Sequence, residues 1–389
     1  MRQTTKRALV SVVALALLGA ACTSDDSGGD DATGDSDAPT QTEAPSDGTT
    51  APDGTSAPDD TVEVTQDGGS TLAAVQEAGV LRCGTRDDLP GFASLDASGE
   101  HVGFDSDFCR AIAAAVLGDA GAVEMVDVET ADRFTALQSG EIDVLVRNTT
   151  WTATRDGAEG ATFLQTTFYD GQGMMVNAGE FSSIEEMDNV IVCVAQGTTT
   201  EGNAAAEAAR LGLTWEVRAF DDVDLLQEAF VGGQCDGWSS DTSQLTGLRS
   251  AYPDGPEALT ILPEVFSKEP LAPAVADGDT QWAQVVNWAI LATIQAEELG
   301  IDSTNVDSFA DTDDVNIQRF LGLSIESDDG TSAVLDPGLG LPTDFNYQII
   351  SQVGNYGEIF ERHLTPLGLE RGVNALWTDG GLMYSPPYR

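Results

Sequence analysis

Cationic side chains and histidines are scarce in this chain. It has 17 Lys and Arg against 65 Asp and Glu, two His, and a formal charge of −48. Because so acidic a protein repels phosphate, the composition argues against nucleic-acid binding. Neither His lies beside a nucleophile motif, and the HExxH and GxSxG motifs of hydrolases are missing. The five Cys form no CxxC pair and no His-containing ligand spacing occurs, so we expect neither a metal site nor a cofactor.

Long apolar runs are also rare, and the one near the N-terminus has the pattern of an export signal. Three cations among the first seven residues precede an apolar run over 8–21, which ends in Leu-Gly-Ala-Ala directly before Cys22. These features predict a secretory signal peptide over 1–21, and the run is too short to span a membrane. Its ending resembles a bacterial lipobox, which implies cleavage before Cys22 and lipidation of that residue. An ordinary signal peptide with an unmodified Cys is the alternative.

The segment that follows has few of the apolar and aromatic residues that form a hydrophobic core. Residues 23–70 contain thirteen Asp and Glu and no Lys, Arg or aromatic residue. Such a segment cannot bury enough apolar surface to offset chain entropy, so we predict a disordered acidic tether over 22–70. With the signal peptide at +3 and the tether at −13, residues 71–389 are left with −38. We therefore expect an extracytoplasmic domain held at the cell membrane by a lipid anchor.

Strands and helices alternate twice along residues 71–389. In the first unit we predict strands over 80–85, 122–128 and 142–146, with helices over 108–117 and 131–139. In the second we predict strands over 190–194, 215–220 and 235–239, with helices over 201–210 and 222–231. This alternation favours an α/β fold with a mostly parallel sheet in each unit.

The two units are expected to be lobes joined by two crossings, near 168–176 and near 259–275. We place the first lobe at 71–172, the second lobe at 173–265, and the return to the first lobe at 266–389. The returning part contains a long helix over 281–299, an insertion, and a last helix over 347–363. Two lobes with paired crossings create a cleft, which is a default ligand site.

Six motifs carry a family resemblance across nearly all of residues 71–389. They are GFDSD at 103–107, RFTALQSG at 133–140, RNTTWTATR at 147–155, YDGQG at 169–173, QGTTTE at 196–201 and NYGEIFER at 355–362. In this order they resemble the solute-binding proteins of bacterial ABC transporters, in the polar amino-acid branch and closest to its long, general L-amino-acid-binding members. The resemblance implies a type II periplasmic-binding-protein fold with two hinge crossings and a C-terminal extension.

The resemblance also implies which residue holds the carboxylate of an amino acid. It assigns this role to Arg155, with Thr150 five residues earlier. The chemistry agrees, because the planar guanidinium donates two parallel hydrogen bonds to a carboxylate. The alternative for Arg155 is a surface ion pair with Asp156 or Glu159.

The second lobe is expected to supply the remaining contacts to the carboxylate and ammonium groups of the amino acid. Backbone N–H groups at a helix N-terminus suit an anion, and those of Gly197, Thr198 and Thr199 match the family's device. They could also form only a capped turn. Asp241 matches the family's acidic ligand for the ammonium group, and it equally suits a helix N-cap.

The resemblance implies the capture subunit of an amino-acid importer, a monomer that binds an L-amino acid and delivers it to ABC permease and ATPase subunits. The side-chain pocket is expected on loops near 86–92 and near Thr130, with Phe92 as a candidate contact. The resemblance does not identify which amino acid binds. The alternatives are a cyclohexadienyl dehydratase, which is an enzyme on the same fold, and a sensory binding protein.

Four cysteines follow Cys22, an even number that favours disulfides in an exported domain. Because a bridge between lobes would block hinge motion, we predict two bridges within lobes. They pair Cys83 with Cys109 and Cys193 with Cys235.

Overall fold

The computed structural model describes residues 70–326 and 330–389, and the predictions for residues 1–69 lie outside them. The strands in these ranges are β1 Leu81–Thr85, β2 Asp88–Leu89, β3 Ala93–Leu95, β4 His101–Val102, β5 Val123–Asp127, β6 Val144–Leu145, β7 Ala161–Phe163, β8 Phe168–Asp170, β9 Gln172–Asn177, β10 Val190–Ala195, β11 Trp215–Phe220, β12 Gly237–Asp241, β13 Leu259–Ile261, β14 Glu269–Leu271, β15 Ala274–Ala276, β16 Ser324–Glu326 and β17 Ser332–Val334.

The α-helices of the same ranges are α1 Thr71–Ala78, α2 Phe104–Leu117, α3 Arg133–Ser139, α4 Ala153–Ala158, α5 Thr199–Leu211, α6 Val223–Val231, α7 Thr242–Ser250, α8 Thr280–Glu298, α9 Val315–Phe320, α10 Phe345–Gln352 and α11 Tyr356–His363. Among these described helices, none has both the length and the apolar character that a membrane crossing requires.

The first lobe is built on a five-stranded mixed sheet in the order β5-β1-β6-β15-β7. β1 pairs in parallel with β5 and β6, whereas β15 runs antiparallel to β6 and β7. Helix α2 packs on this sheet and begins at Phe104, four residues before the predicted start at 108. The earlier start is possible because Gly103 adopts φ 138, and because Asp105 and Asp107 place negative charge in the first turn.

The second lobe repeats this plan with the sheet order β11-β10-β12-β9-β13. β10 pairs in parallel with β11 and β12, and β9 runs antiparallel to β12 and β13. Alternating residues of β10 face opposite sides: Val192 packs in the cluster that contains Ala204 of α5, and Cys193 in the cluster that contains Leu226 of α6. Helices therefore cover both faces of the sheet, as a buried α/β sheet requires.

The chain crosses between the lobes twice, and the two crossings lie side by side. β8 leads into the second lobe and β14 leads back, and the two pair antiparallel with Asp170 opposite Glu269 and Phe168 opposite Leu271. The predicted two-lobed α/β fold with two crossings is confirmed. A two-stranded connection of this kind permits rotation of one lobe against the other with little change inside either lobe.

Each lobe contains one disulfide, in the predicted pairing. Cys83 of β1 is bonded to Cys109 of α2 with a Cα–Cα distance of 5.9 Å, and Cys193 of β10 to Cys235 with 5.8 Å. Strand β12 spans 237–241 rather than the predicted 235–239, so Cys235 lies just before it. Neither bridge crosses the hinge.

The C-terminal extension packs against the first lobe and reaches the hinge. α10 and α11 contact α2 and α8, and the tail residue Asn374 binds both the N–H and the carbonyl of Tyr169 in β8, at 2.7 and 3.0 Å. The single helix predicted over 347–363 is wrong, because the chain breaks at Gly354 with φ 102. There Asn355 and Glu358 form a reciprocal capping box that begins α11.

Candidate functional site

A cavity lies between the lobes. Its walls come from the segments that follow β1 and β6 in the first lobe and from the carboxyl ends of β10 and β12 in the second. The carboxyl ends of parallel strands are where α/β sheets bind ligands. The lining is almost entirely polar or charged, and it includes four of the thirteen Arg that follow residue 70.

Arg155 lines this cavity and makes no ion pair with an acid of the described chain. It lies in α4, whose N-cap Thr152 accepts a hydrogen bond from the Arg155 N–H, and the residue is only 9% exposed. Its Nη1 donates to the Thr150 carbonyl at 2.8 Å, so Thr150 orients the guanidinium through its backbone. Arg155 therefore does not form the surface ion pair with Asp156 or Glu159 that was the alternative. Most of the guanidinium donors are left for a ligand in the cavity.

The start of α5 forms the facing wall in the second lobe. Gly197 turns the chain with φ 69, and Thr198 occupies the N-cap without capping the helix through its side chain. Its hydroxyl donates instead to the Ala195 carbonyl at 2.6 Å, and the Thr199 hydroxyl donates to Glu269 at 2.9 Å. Thr198 and Thr199 line the cavity, whereas Gly197 is not among its lining residues. The first N–H groups of a thirteen-residue helix are thus uncapped at the cavity, where an anion is favoured.

Asp241 is the one carboxylate among the residues that line the cavity. It ends β12 at the N-cap position of α7, but its side chain makes no capping bond and accepts no hydrogen bond from the described residues. It is 6% exposed. Burial raises the pKa of Asp241 well above its ordinary value, and the charges of Asp170 and Glu269 raise it further. A buried carboxylate that accepts no hydrogen bond is stabilised by a cation beside it.

The two acids beside Asp241 are held by hydrogen bonds, in contrast to Asp241 itself. Asp170 accepts from the hydroxyls of Thr242, at 2.8 Å, and Ser243. Glu269 accepts from the hydroxyls of Thr199 and Ser267 and from the Asn203 amide. Their hydrogen bonds are made within the protein, and their negative charges favour a cation beside Asp241.

Three further guanidiniums face the cavity: Arg86, Arg133 and Arg147. Arg86 is neutralised by Asp88 through two contacts, Nε to Oδ1 at 2.5 Å and Nη2 to Oδ2 at 2.8 Å. Arg133 and Arg147 form no ion pair within the ranges that the structure describes. The sequence placed Arg133 and Arg147 inside motifs without assigning them a role. For Arg147 the available signal was its position two residues after the buried strand β6 in a chain so poor in cations, whereas Arg133 begins α3 and gave no such signal.

The lobes touch across the cavity, so this is a closed arrangement. The Asn148 amide of the first lobe donates to Gln244 of α7 at 3.3 Å, and the Arg133 Nη2 donates to the Gly197 carbonyl at 3.3 Å. Asn148 has φ 29, and its N–H donates to Asp105 at 2.7 Å, which fixes this loop on the start of α2.

Phe92 does not line the cavity. It is fully buried in the first lobe, where its ring meets those of Phe104 at 5.8 Å and Phe168 at 5.4 Å. The loops that were expected to build the side-chain pocket do reach the cavity, but through Arg86 and Thr130 rather than through an aromatic ring. Within the described residues, no cluster of three or more His, Cys, Asp or Glu could hold a metal ion.

Comparison with known proteins agrees with this architecture. The profile of the bacterial extracellular solute-binding proteins, family 3, matches residues 81–300. The chain belongs to this family. Two relatives of this family 3 protein are the general L-amino acid-binding periplasmic protein AapJ of Rhizobium johnstonii and the glutamate/glutamine/aspartate/asparagine-binding protein BztA of Rhodobacter capsulatus. Each is 45% identical to it and aligns with 82% of this chain, covering 93% of AapJ and 94% of BztA.

A solved structure shares the fold over nearly the same range. A periplasmic binding protein of an ABC transporter from Brucella ovis, with glutathione bound, has a TM-score of 0.78 and 41% identity, and the match covers 83% of this chain and 100% of that chain. The resemblance inferred from the six motifs is thus confirmed, as is the type II periplasmic-binding-protein fold. The protein is an extracytoplasmic solute-binding protein of the ABC importer class.

Proposed function

We propose that this family 3 protein binds an L-amino acid between its lobes and delivers it to the permease of an ABC importer. The observation that carries the proposal is the pairing of opposite, unsatisfied charges in one cavity. Arg155 comes from the first lobe and Asp241 from the second, and neither has an ionic partner among the described residues. The names of AapJ and BztA, which are amino-acid-binding proteins, support the same class of ligand.

An amino acid fits this cavity because each of its two main-chain charges meets a group of the opposite charge. The carboxylate accepts two parallel hydrogen bonds from Arg155 and further ones from the uncapped N–H groups at Thr198 and Thr199. The ammonium donates to Asp241. Charge-assisted bonds of this kind contribute about 1.5–3 kcal/mol each, so four bonds of about 2 kcal/mol would correspond to roughly micromolar binding.

The test is a calorimetric titration of the protein with each of the twenty L-amino acids, repeated with Arg155→Ala. We expect binding of one or several amino acids and no measurable binding to the variant. Arg218→Ala, which removes a partly exposed Arg paired with Glu216 outside the cavity, is the matched control and should bind as the native protein does. Affinity of the Arg155 variant within about threefold of the native value would contradict the assigned role.

The same proposal includes the setting of the protein. The sequence of residues 1–22 supports a lipid anchor on Cys22, and nothing in the proposed mechanism requires more than a monomer. The proposal is a binding role without catalysis, although a carboxylate acid would suffice for a dehydratase and the positions of the two His do not decide between them. His101 pairs with Asp127 and His363 with Asp107, both away from the cavity. Failure of the protein to convert arogenate or prephenate would agree with this, whereas turnover would favour a dehydratase.

A further inference from the structure

The cavity contains more positive charge than the main-chain groups of an amino acid can use. If Arg155 takes the ligand carboxylate and Asp241 the ammonium, and if Asp88 neutralises Arg86, two guanidiniums are left over. These are Arg133 and Arg147. Both line the cavity from the first lobe, and neither has a carboxylate partner in residues 70–326 or 330–389.

Both leftover guanidiniums are buried with incomplete hydrogen bonding. Arg133 is 3% exposed; its Nη1 donates to the Thr130 carbonyl and its Nη2 to Gly197, while its Nε is buried without an acceptor. Arg147 is 6% exposed, and it donates through Nε to the Val128 carbonyl at 2.8 Å and through Nη2 to the Thr130 hydroxyl at 3.0 Å. A guanidinium has five N–H donors, so each retains donors without a protein partner.

Neutral acceptors do not compensate a buried charge. Burial lowers the pKa of Arg133, and the positive charges of Arg155 and Arg147 lower it further. Burial likewise lowers the pKa of Arg147, and Arg86 adds to the effect. The charges of Asp88, Glu129 and Asp105 partly offset these effects at Arg147, but no carboxylate of the described residues lies within ion-pair distance of either guanidinium. An anion in the cavity would therefore stabilise both guanidiniums.

A neutral amino acid would leave both guanidiniums uncompensated, and a cationic one would be repelled by them. A second carboxylate on the ligand matches their planar donor geometry and returns the cavity closer to neutrality. We propose that the cleft selects L-amino acids with an acidic side chain, aspartate or glutamate, and that Arg133 and Arg147 bind the side-chain carboxylate. This rests on the proposed function and adds the ligand class.

The deciding experiment compares isosteric ligands on the native protein. Glutamate and glutamine, and aspartate and asparagine, have nearly the same shape and differ in one charge. We expect each acid to bind roughly ten- to hundredfold more tightly than its amide, as one charge-assisted contact in a closed site predicts. Equal affinity for acid and amide would overturn this proposal alone, because an amino acid would still bind. No binding of any amino acid would overturn it together with the proposed function.

Variants then assign the effect to residues. In Arg133→Gln and Arg147→Gln the ratio of glutamate to glutamine affinity should fall toward one. Arg218→Gln changes the net charge equally but lies outside the cavity, so it should keep the native ratio. Native discrimination in both cavity variants would overturn the assignment. The comparison of ligands on the native protein requires no substitution, so it decides the question even if a variant fails to fold.

Discussion

Replacement of Asp241 by Asn tests the electrostatics of the cleft most directly. The change keeps the size of the side chain and removes a buried negative charge that has no hydrogen-bond donor in the described structure. If this charge pairs with the ligand ammonium, its loss removes one charge-assisted hydrogen bond. That corresponds to about 1.5–3 kcal/mol, or roughly a ten- to hundredfold loss of affinity at neutral pH.

The same variant should be more stable than the native protein in the absence of ligand. Burial, followed by the charges of Asp170 and Glu269, raises the folded-state pKa of Asp241. A carboxyl whose pKa is raised on folding contributes its full stabilisation below its unfolded pKa, near 3.9 for Asp, and that contribution is lost progressively as the pH rises through the folded pKa. At neutral pH the buried carboxyl therefore opposes folding, because in the folded protein it must either carry an unpaired charge or take up a proton, and Asn removes this penalty. The difference in stability between the Asn variant and the native protein should decrease as the pH is lowered toward the unfolded pKa of Asp.

Ligand binding should also release protons from the native protein. A bound ammonium lowers the pKa that burial had raised, so affinity increases with pH until Asp241 of the free protein is ionised. Calorimetry in two buffers with different ionisation enthalpies measures the release at pH values just below the raised pKa, and urea unfolding without ligand measures stability. Glu216→Gln is the control, since it removes an exposed acid outside the cavity. Native affinity and unchanged stability in the Asp241 variant would refute the reasoning.

Two further predictions concern the scaffold. Replacing Cys193 and Cys235 together by Ala should lower the free energy of unfolding by about 4 kcal/mol, as the chain-entropy relation gives for their separation of 42 residues, with ligand affinity unchanged because the bridge lies within one lobe. Urea unfolding and titration check this, and a large loss of affinity in a folded variant would contradict it. Asn374→Ala should destabilise the protein by about 1–3 kcal/mol, because it removes both hydrogen bonds to Tyr169 in the hinge strand β8. Unchanged thermal unfolding of this variant would show that the tail does not support the hinge.

The architecture was predictable because it follows from local patterns. Strand β11 has its predicted bounds, and α6 and β10 differ from theirs by one residue, since apolar periodicity and turn residues define such elements. The break between α10 and α11 was missed because apolar residues continue across 347–363. A Gly followed by an Asn-x-x-Glu capping pattern at 354–358 was present and would have indicated it.

The cavity lining was predictable only in part, because it depends on how separate segments meet. Arg155 and Asp241 were found through motif matching, and both line the cavity. Arg133 begins α3 and Arg147 follows β6, and folding brings Arg147 to Thr130, which also accepts a hydrogen bond from Arg133. An apolar aromatic side chain such as Phe92 suits a hydrophobic core as well as a ligand cleft, so the sequence did not distinguish the two positions. In the structure Phe92 packs in the core against the rings of Phe104 and Phe168.

The arrangement of charges suggests why ligand and closure are coupled. Closing the lobes removes water from Asp241 on one side and from Arg155, Arg133 and Arg147 on the other, and these groups have no ionic partners in the described chain. Without a ligand, closure therefore desolvates unpaired charges and is opposed. An acidic amino acid supplies an ammonium and two carboxylates of the required signs at once, so its contacts are complete only in the closed form. Because a ligand shifts an equilibrium only by its preference for one state, the unpaired charges themselves are what make closure depend on the ligand.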